Sequence, residues 1–140
     1  MKESTENRIG VGHTYEYEFQ FTQKDVITFA EATGDKNPIH LDEEYAKNSI
    51  FKKRILHGFL GGSIFSKVFG TMFPGAGTIY LKQDMSFYRP MFINTAYKAI
   101  FTVYEVFPEK NRALVKTEII DGDQNLIIGG DALIKHVNIY

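Results

Sequence analysis

The sequence predicts an α+β fold in which one long apolar helix is wrapped by a curled antiparallel sheet. Three observations carry that expectation. Residues 13–21, HTYEYEFQF, alternate Tyr15, Tyr17, Phe19 and Phe21 with His, Thr, Glu and Gln, which is the period of a half-buried strand. Residues 57–73, HGFLGGSIFSKVFGTMF, are the most apolar segment and repeat large side chains at helical spacing. After PGAG at 74–77 the chain is rich in Phe, Tyr, Val and Ile, and PEKN and DGDQN read as hairpin turns between consecutive strands. One helix followed by a run of strands is the pattern of a helix packed on an antiparallel sheet.

Each element has a local cause. Thr22 caps the helix after the first strand, and Asp25 completes a capping-box variant. In KDVITFAEAT, Val26, Phe29 and Ala30 fall at helical spacing, and Gly34 supplies the stop. The following stretch, GDKNPIH, is expected to be an ordered loop and not a helix. Pro38 removes a backbone donor there and pushes Asn37 out of the helical region. Asp42 is a good N-cap for a short helix over EEYAKNS.

The central helix covers residues 57–73. Gly61 and Gly62 inside it cost roughly 1 kcal/mol each relative to Ala, so they imply close backbone approach or space left for something else. Three or four strands follow, at about 78–88, 95–107, 113–121 and 125–136, with Pro90 ending the first. No repeat, linker or low-complexity tract interrupts the chain. The expectation is one domain over residues 1–140 with a core over about 9–136.

Composition excludes several classes. A chain of 140 residues, 44% hydrophobic and 24% charged, can bury a core and is not disordered. A net charge of −1 gives no basic face for general nucleic-acid binding. Zero cysteines exclude disulfides, a thiol nucleophile and thiolate metal sites. The start, MKESTENRIG, has no apolar signal core, and no run approaches the length of a membrane span. These features lead to the expectation of a soluble, cytoplasmic protein.

The stretch GDKNPIHLDEEYA, residues 34–46, is where chemistry concentrates. Asp35 and His40 flank Pro38, and only the loop between them can bring both side chains together. An Asp and a His meeting in an apolar pocket form a general acid–base pair, with an imidazole that titrates near neutral pH. The same letters also suit a turn followed by a surface histidine. His57-Gly58 stands where the apolar helix begins. The unpaired N–H groups of a helix start accept anions or a developing oxyanion, and a glycine lets a carbonyl approach the main chain. A packing role for His57 and Gly58 is the alternative, and Ser66 reads either as a site group or as a small core-face residue.

An acid–base loop and an oxyanion-ready helix start are together what proton chemistry beside a carbonyl requires. With a 2-enoic thioester, water adds at C3 and a proton at C2, and the enolate-like oxygen needs backbone donors. No metal, nucleotide or redox cofactor is implied. The histidines, at 13, 40, 57 and 136, lack the spacing of a ligand pair.

FTQKDVITFAEATGDKNPIHLDEEYAKNSIF followed by RILHGFLGGSIFS closely resembles the MaoC-like, (R)-specific enoyl-CoA hydratase family. The likeness runs from about Ile9 to near Lys135, and GTIYLKQDMSFYRPMF is similar to the family's strand after the helix. The resemblance implies a hot-dog fold with a helical overhang carrying the catalytic loop. It implies Asp35 and His40 as the catalytic pair acting on water and Gly58 as the oxyanion-hole amide. His57, Ser66 and Asn37 would line or shape the substrate site, with Asn37 holding the loop. It implies a homodimer joined sheet edge to sheet edge, and coenzyme A as substrate carrier with no cofactor. INTA after RPMF replaces the family's glycine-aspartate turn, and SIFKKR replaces a more glycine-rich run. Lys52, Lys53 and Arg54 there suit a cationic rim for phosphates or a solvated loop.

The expected activity is reversible hydration of trans-2-enoyl-CoA to (R)-3-hydroxyacyl-CoA. A thioesterase would place a carboxylate on the central helix, which has none. An acyl-carrier-protein dehydratase of the same fold is a nearer rival. A silent acyl-CoA-binding regulatory or assembly module would have no reason to carry both Asp35 and His40.

Overall fold

Thr22, Gly34 and Asp42 each become a helix cap in the computed structural model, which describes residues 8–140. The segment MKESTEN, where the sequence shows no signal core and where the single-domain reading begins, lies outside the described residues. Strand β1 (Thr14–Phe19) leads into α1 (Gln23–Thr33). The Thr22 hydroxyl accepts from the Asp25 N–H at 3.2 Å, and the Asp25 carboxylate accepts from the Thr22 N–H at 2.8 Å. Gly34 closes the helix in the left-handed region, at φ 80°, and donates to the Ala30 carbonyl. Asp42 caps α3 (Glu43–Lys47) by accepting from Tyr45 N–H at 3.1 Å.

The stretch expected to be all loop is not. Residues Pro38–Leu41 form a single helical turn, α2, with Asn37 as its cap and Pro38 in its first position. Proline at the start of a helix loses nothing, because that N–H has no partner within the helix. The loop shrinks to residues 34–37, and His40 rides on the turn.

Helix α4 (Gly58–Thr71) buries Leu60, Gly61, Ile64, Phe65, Val68 and Phe69 against one sheet. That sheet is built from β1, β2 (Ile79–Gln83), β3 (Ser86–Phe87), β4 (Tyr97–Phe107), β5 (Arg112–Ile120) and β6 (Leu126–Lys135). Its order is β1-β4-β5-β6-β2, with β3 also on β6 and every pairing antiparallel. The alternation along β4 and β5 sends Ala99, Phe101, Val103, Val115 and Ile119 to the helix side. Phe101 meets Phe65 and Phe69 edge-on, with centroids 5.8 and 5.2 Å away. Burying each ring contributes about 1.5–3 kcal/mol, and this aromatic knot fixes how α4 lies on the sheet.

Two boundaries differ from expectation. The strand read at 78–88 is two, because Asp84 leaves the ladder. Asp84 donates to the Asp131 carbonyl at 3.0 Å, and its carboxylate accepts from Asp131 N–H at 3.1 Å. A side chain at Gly130 would lie 2.0 Å from the Asp84 carbonyl oxygen, so only glycine fits. The core also continues past residue 136. Ile9 and Ile139 form an isolated parallel bridge, and both are buried.

Candidate active site

Three side chains converge between α1, the turn α2 and the start of α4. The ligand-type atoms of Asp35, His40 and His57 lie within 4.8 Å of one another. The sequence places Asp35 and His40 near each other, and the fold adds His57, which donates from Nε2 to the Asp35 carbonyl oxygen at 2.9 Å. Its ring lies 3.9 Å from that of His40 and 4.7 Å from that of Phe29, centroid to centroid. His57 is only 2% exposed, so it holds the loop and offers little surface to a ligand. Among the described residues its Nδ1 has no hydrogen-bond partner.

His40 is also buried. Its Nδ1 lies 2.8 Å from the Ile55 carbonyl oxygen. A carbonyl only accepts, so Nδ1 carries the proton and Nε2 of the neutral ring keeps its lone pair. The Ile55 N–H donates in turn to Ile39, and Gln23 Nε2 donates to the His40 carbonyl, which ties the turn to both neighbours. Burial holds the His40 imidazole below its ordinary range. The bond to Ile55 and the Asp35 carboxylate push it up, and the charge of His57 pushes it further down.

Asp35 stands exposed in the four-residue loop, where its carboxylate accepts a long, 3.5 Å bond from Asn37 N–H. The rest of the carboxylate is open to solvent or substrate. Asn37 spends its side-chain oxygen on the Ile39 N–H at 3.2 Å and caps α2. It lines neither cavity described below, and the role its bonds show is to shape the loop.

Gly58 opens α4, and His57, in the cap position, makes no side-chain cap bond. The first amides of the helix are therefore free of intrahelical partners. The reason for glycine is partly a protein contact. A Cβ at Gly58 would fall 2.8 Å from the Phe87 ring. The N–H remains available whatever occupies the Cβ side.

Two cavities flank this cluster. One of about 460 Å³ takes in His40, Ile55, His57, Gly58, Phe87 and Arg89. The other, of about 490 Å³, takes in Phe29, Asp35, Gly62, Ser63, Tyr80 and Met85. Phe59 belongs to the walls of both. Ser66 lines neither; it is exposed further along the outer face of α4, and Ser63 occupies the nearer turn. Lys52, Lys53 and Arg54 also stand outside both cavities, and Lys53 Nζ sits 4.1 Å over the Phe92 ring. The sequence does not mark Phe87 and Met85, since nothing local distinguishes a residue that packs against the first turns of a helix.

The family profile described as MaoC like domain matches residues 4–122. The chain belongs to the MaoC-like family. The 3-hydroxybutyryl-CoA dehydratase of Methylorubrum extorquens is 38% identical over 89% of this chain and 79% of its own length. The mitochondrial 3-hydroxyacyl-(acyl-carrier-protein) dehydratase FERN of Solanum lycopersicum is 31% identical over 92% of this chain and 78% of its own. Among solved structures, the (R)-hydratase from A. caviae involved in PHA biosynthesis superposes with a TM-score of 0.86 at 34% identity, covering 89% of this chain and 95% of that one. Hydration and dehydration are two directions of one reaction, and this MaoC-like chain is a hydratase/dehydratase of the hot-dog fold.

Proposed function

We propose that this MaoC-like protein is a cofactor-independent enoyl-CoA hydratase that reversibly adds water to trans-2-enoyl-CoA, giving (R)-3-hydroxyacyl-CoA. The observation that supports this most is the pairing of two different groups in one place. His40 is held neutral with Nε2 free, and the Asp35 carboxylate is open beside it. Such a pair can hold one water, take its proton and return a proton to the neighbouring carbon. The water oxygen bonds to C3, and the C2=C3 electrons move toward the thioester oxygen. The Gly58 amide stabilises that developing charge. A proton from the pair then reaches C2, so that one water is consumed and the pair is restored. We assign the two carboxylate and imidazole steps to the pair jointly.

The carrier side of the thioester is assigned to the cavity with Gly58 and Arg89, whose guanidinium suits a phosphate. We also propose a homodimer through β2. The β1 edge presents Glu16 and Glu18, whereas the β2 edge exposes Ile79, Tyr80 and Leu81 with a single charge, Lys82. A mostly apolar open edge is a pairing surface, and a more heavily charged one is protected. Sedimentation velocity reads the expected dimer, and a monomer at micromolar concentration contradicts it.

The test of function is loss of enoyl-thioester absorbance with crotonyl-CoA, with product hand read by a stereospecific dehydrogenase. Turnover to the (R) product supports the reading, and no turnover with any chain length overturns it. A carrier-protein thioester is the second reading, favoured by the likeness to FERN. It is distinguished by comparing the crotonyl group on coenzyme A with the same group on an acyl-carrier protein.

A further inference from the structure

Gly61 and Gly62 each leave a vacancy on α4, and each vacancy is filled by a methionine. A Cβ at Gly61 would lie 2.5 Å from Met91 Sδ, and one at Gly62 would lie 2.5 Å from Met85 Sδ. The two pairs differ in what surrounds them. Met91 is 4% exposed and shares the Gly61 site with Ile128, so that pair is core packing. Met85 is half-buried and forms part of the cavity that also holds Asp35.

The order of atoms in an enoyl thioester selects this cavity for the acyl tail, an argument that rests on the hydratase reading above. The thioester oxygen belongs at Gly58, in one cavity, and C3 belongs at the Asp35–His40 pair. The chain beyond C3 leaves the pair on the side away from Gly58, toward Phe29, Gly62 and Met85. There the path meets the thioether. The root of Met85 is fixed, because the preceding Asp84 is pinned on both sides by Asp131. Its side chain is unbranched and polarizable, and it adapts to irregular space at little cost.

We propose that Met85, seated over Gly62, is the movable end wall that sets which acyl lengths this protein accepts. Removing the thioether lengthens the cavity. Adding a methyl group at position 62 drives the thioether out of its seat and into the path of the chain. The two changes therefore act in opposite directions on one ratio.

The experiment measures kcat/KM for crotonyl-CoA and trans-2-octenoyl-CoA in the wild type, Met85→Ala, Gly62→Ala and the double variant. Met85→Ala is expected to raise the octenoyl-to-crotonyl ratio about tenfold, since a methylene in an apolar pocket is worth about that much. Gly62→Ala is expected to lower it by a similar factor, and the double variant to recover. Dissociation constants of butyryl-CoA and octanoyl-CoA give the same ratio without chemistry, so a failed hydratase reading does not hide the result. An unchanged length ratio in Met85→Ala, in both turnover and binding, overturns the proposal. Opposite shifts in the two single variants support it.

Discussion

His57 donates from Nε2 to the carbonyl oxygen of Asp35 at 2.9 Å, and its ring lies 3.9 Å from that of His40. One buried side chain thus joins the loop, the turn and the start of α4. The acid–base pair is held by a residue that is almost wholly buried and only edges the cavity shared with Gly58 and Arg89. His57→Phe keeps the ring contacts and removes the bond. The lost buried hydrogen bond is worth about 1 kcal/mol, and the expected result is a drop of about fivefold in kcat with KM nearly unchanged. His57→Gln, which can restore a donor, is expected to recover part of that loss. Steady-state kinetics of the two variants read the split.

The pH profile follows from the environment of His40. Burial first, opposed by Ile55 and Asp35 and aided by His57, lowers its pKa from the ordinary value. As a base it must be neutral. kcat/KM is therefore expected to rise through an apparent pKa below the ordinary histidine value of about 6.5 and to stay level above it. Stability has the same sign. The unfolded chain binds the proton more readily, so this contribution is complete above the unfolded pKa and is lost as pH falls through and below it. Denaturant midpoints between pH 5 and 8 check the second part, with His40→Gln expected to flatten the slope there.

Gly58→Ala is expected to cost stability because its methyl meets the Phe87 ring, which stands 2.8 Å from the position of the new atom. Such overpacking costs about 1–3 kcal/mol. Gly58→Ala combined with Phe87→Leu is expected to recover most of the loss in melting temperature. If it does not, the glycine is required for a reason other than Phe87.

Asp35, His40 and His57 together have the ligand types of a divalent-metal site. Hydration by the pair alone needs no ion. Incubation with a strong chelator is expected to leave turnover unchanged, and micromolar zinc is expected to inhibit by tying up His40 Nε2. Turnover abolished by chelation and restored by zinc would reverse this assignment.

Lys52 adopts φ 67°, a left-handed conformation that costs a residue with a side chain about 1–2 kcal/mol. It stands in SIFKKR, where the family likeness expects a more glycine-rich run. Lys52→Gly is expected to raise the melting temperature by a few degrees, read by calorimetry. The INTA turn solves the same problem with Asn94 at φ 54°, since asparagine tolerates that region.

What was legible in the sequence was local. Thr22 with Asp25, Gly34 and Asp42 act on partners within a few residues, and all cap as their spacing implies. Pro38 argues against a helix from its neighbours alone, because its role at a first position depends on Asn37 taking the cap. Non-local effects were not legible. The break between β2 and β3 is made by Asp84 against Gly130 and Asp131, on a strand far along the chain. The spacing of α4 shows its faces but not which turn borders a cavity, so the letters do not distinguish Ser66 from Ser63, which lies closer. The bond from His57 to the Asp35 carbonyl, which ties the loop to the start of α4, spans twenty-two residues and leaves no mark in either local stretch. Gly61 and Gly62 are matched by Met91 and Met85, which lie more than twenty residues along the chain and are invisible to the helix's own spacing.

The central claim is that Asp35 and His40 act on water together. Asp35 is exposed and its carboxylate accepts one long bond, so Asp35→Asn should fold and melt as the wild type does. The measurement is the rate of crotonyl-CoA hydration by this variant at matched concentration. General acid–base groups contribute about 10²–10⁴-fold, and a fall of at least about a hundredfold with an unchanged melting temperature is the expected result. Hydration within a few-fold of the wild type would contradict the account.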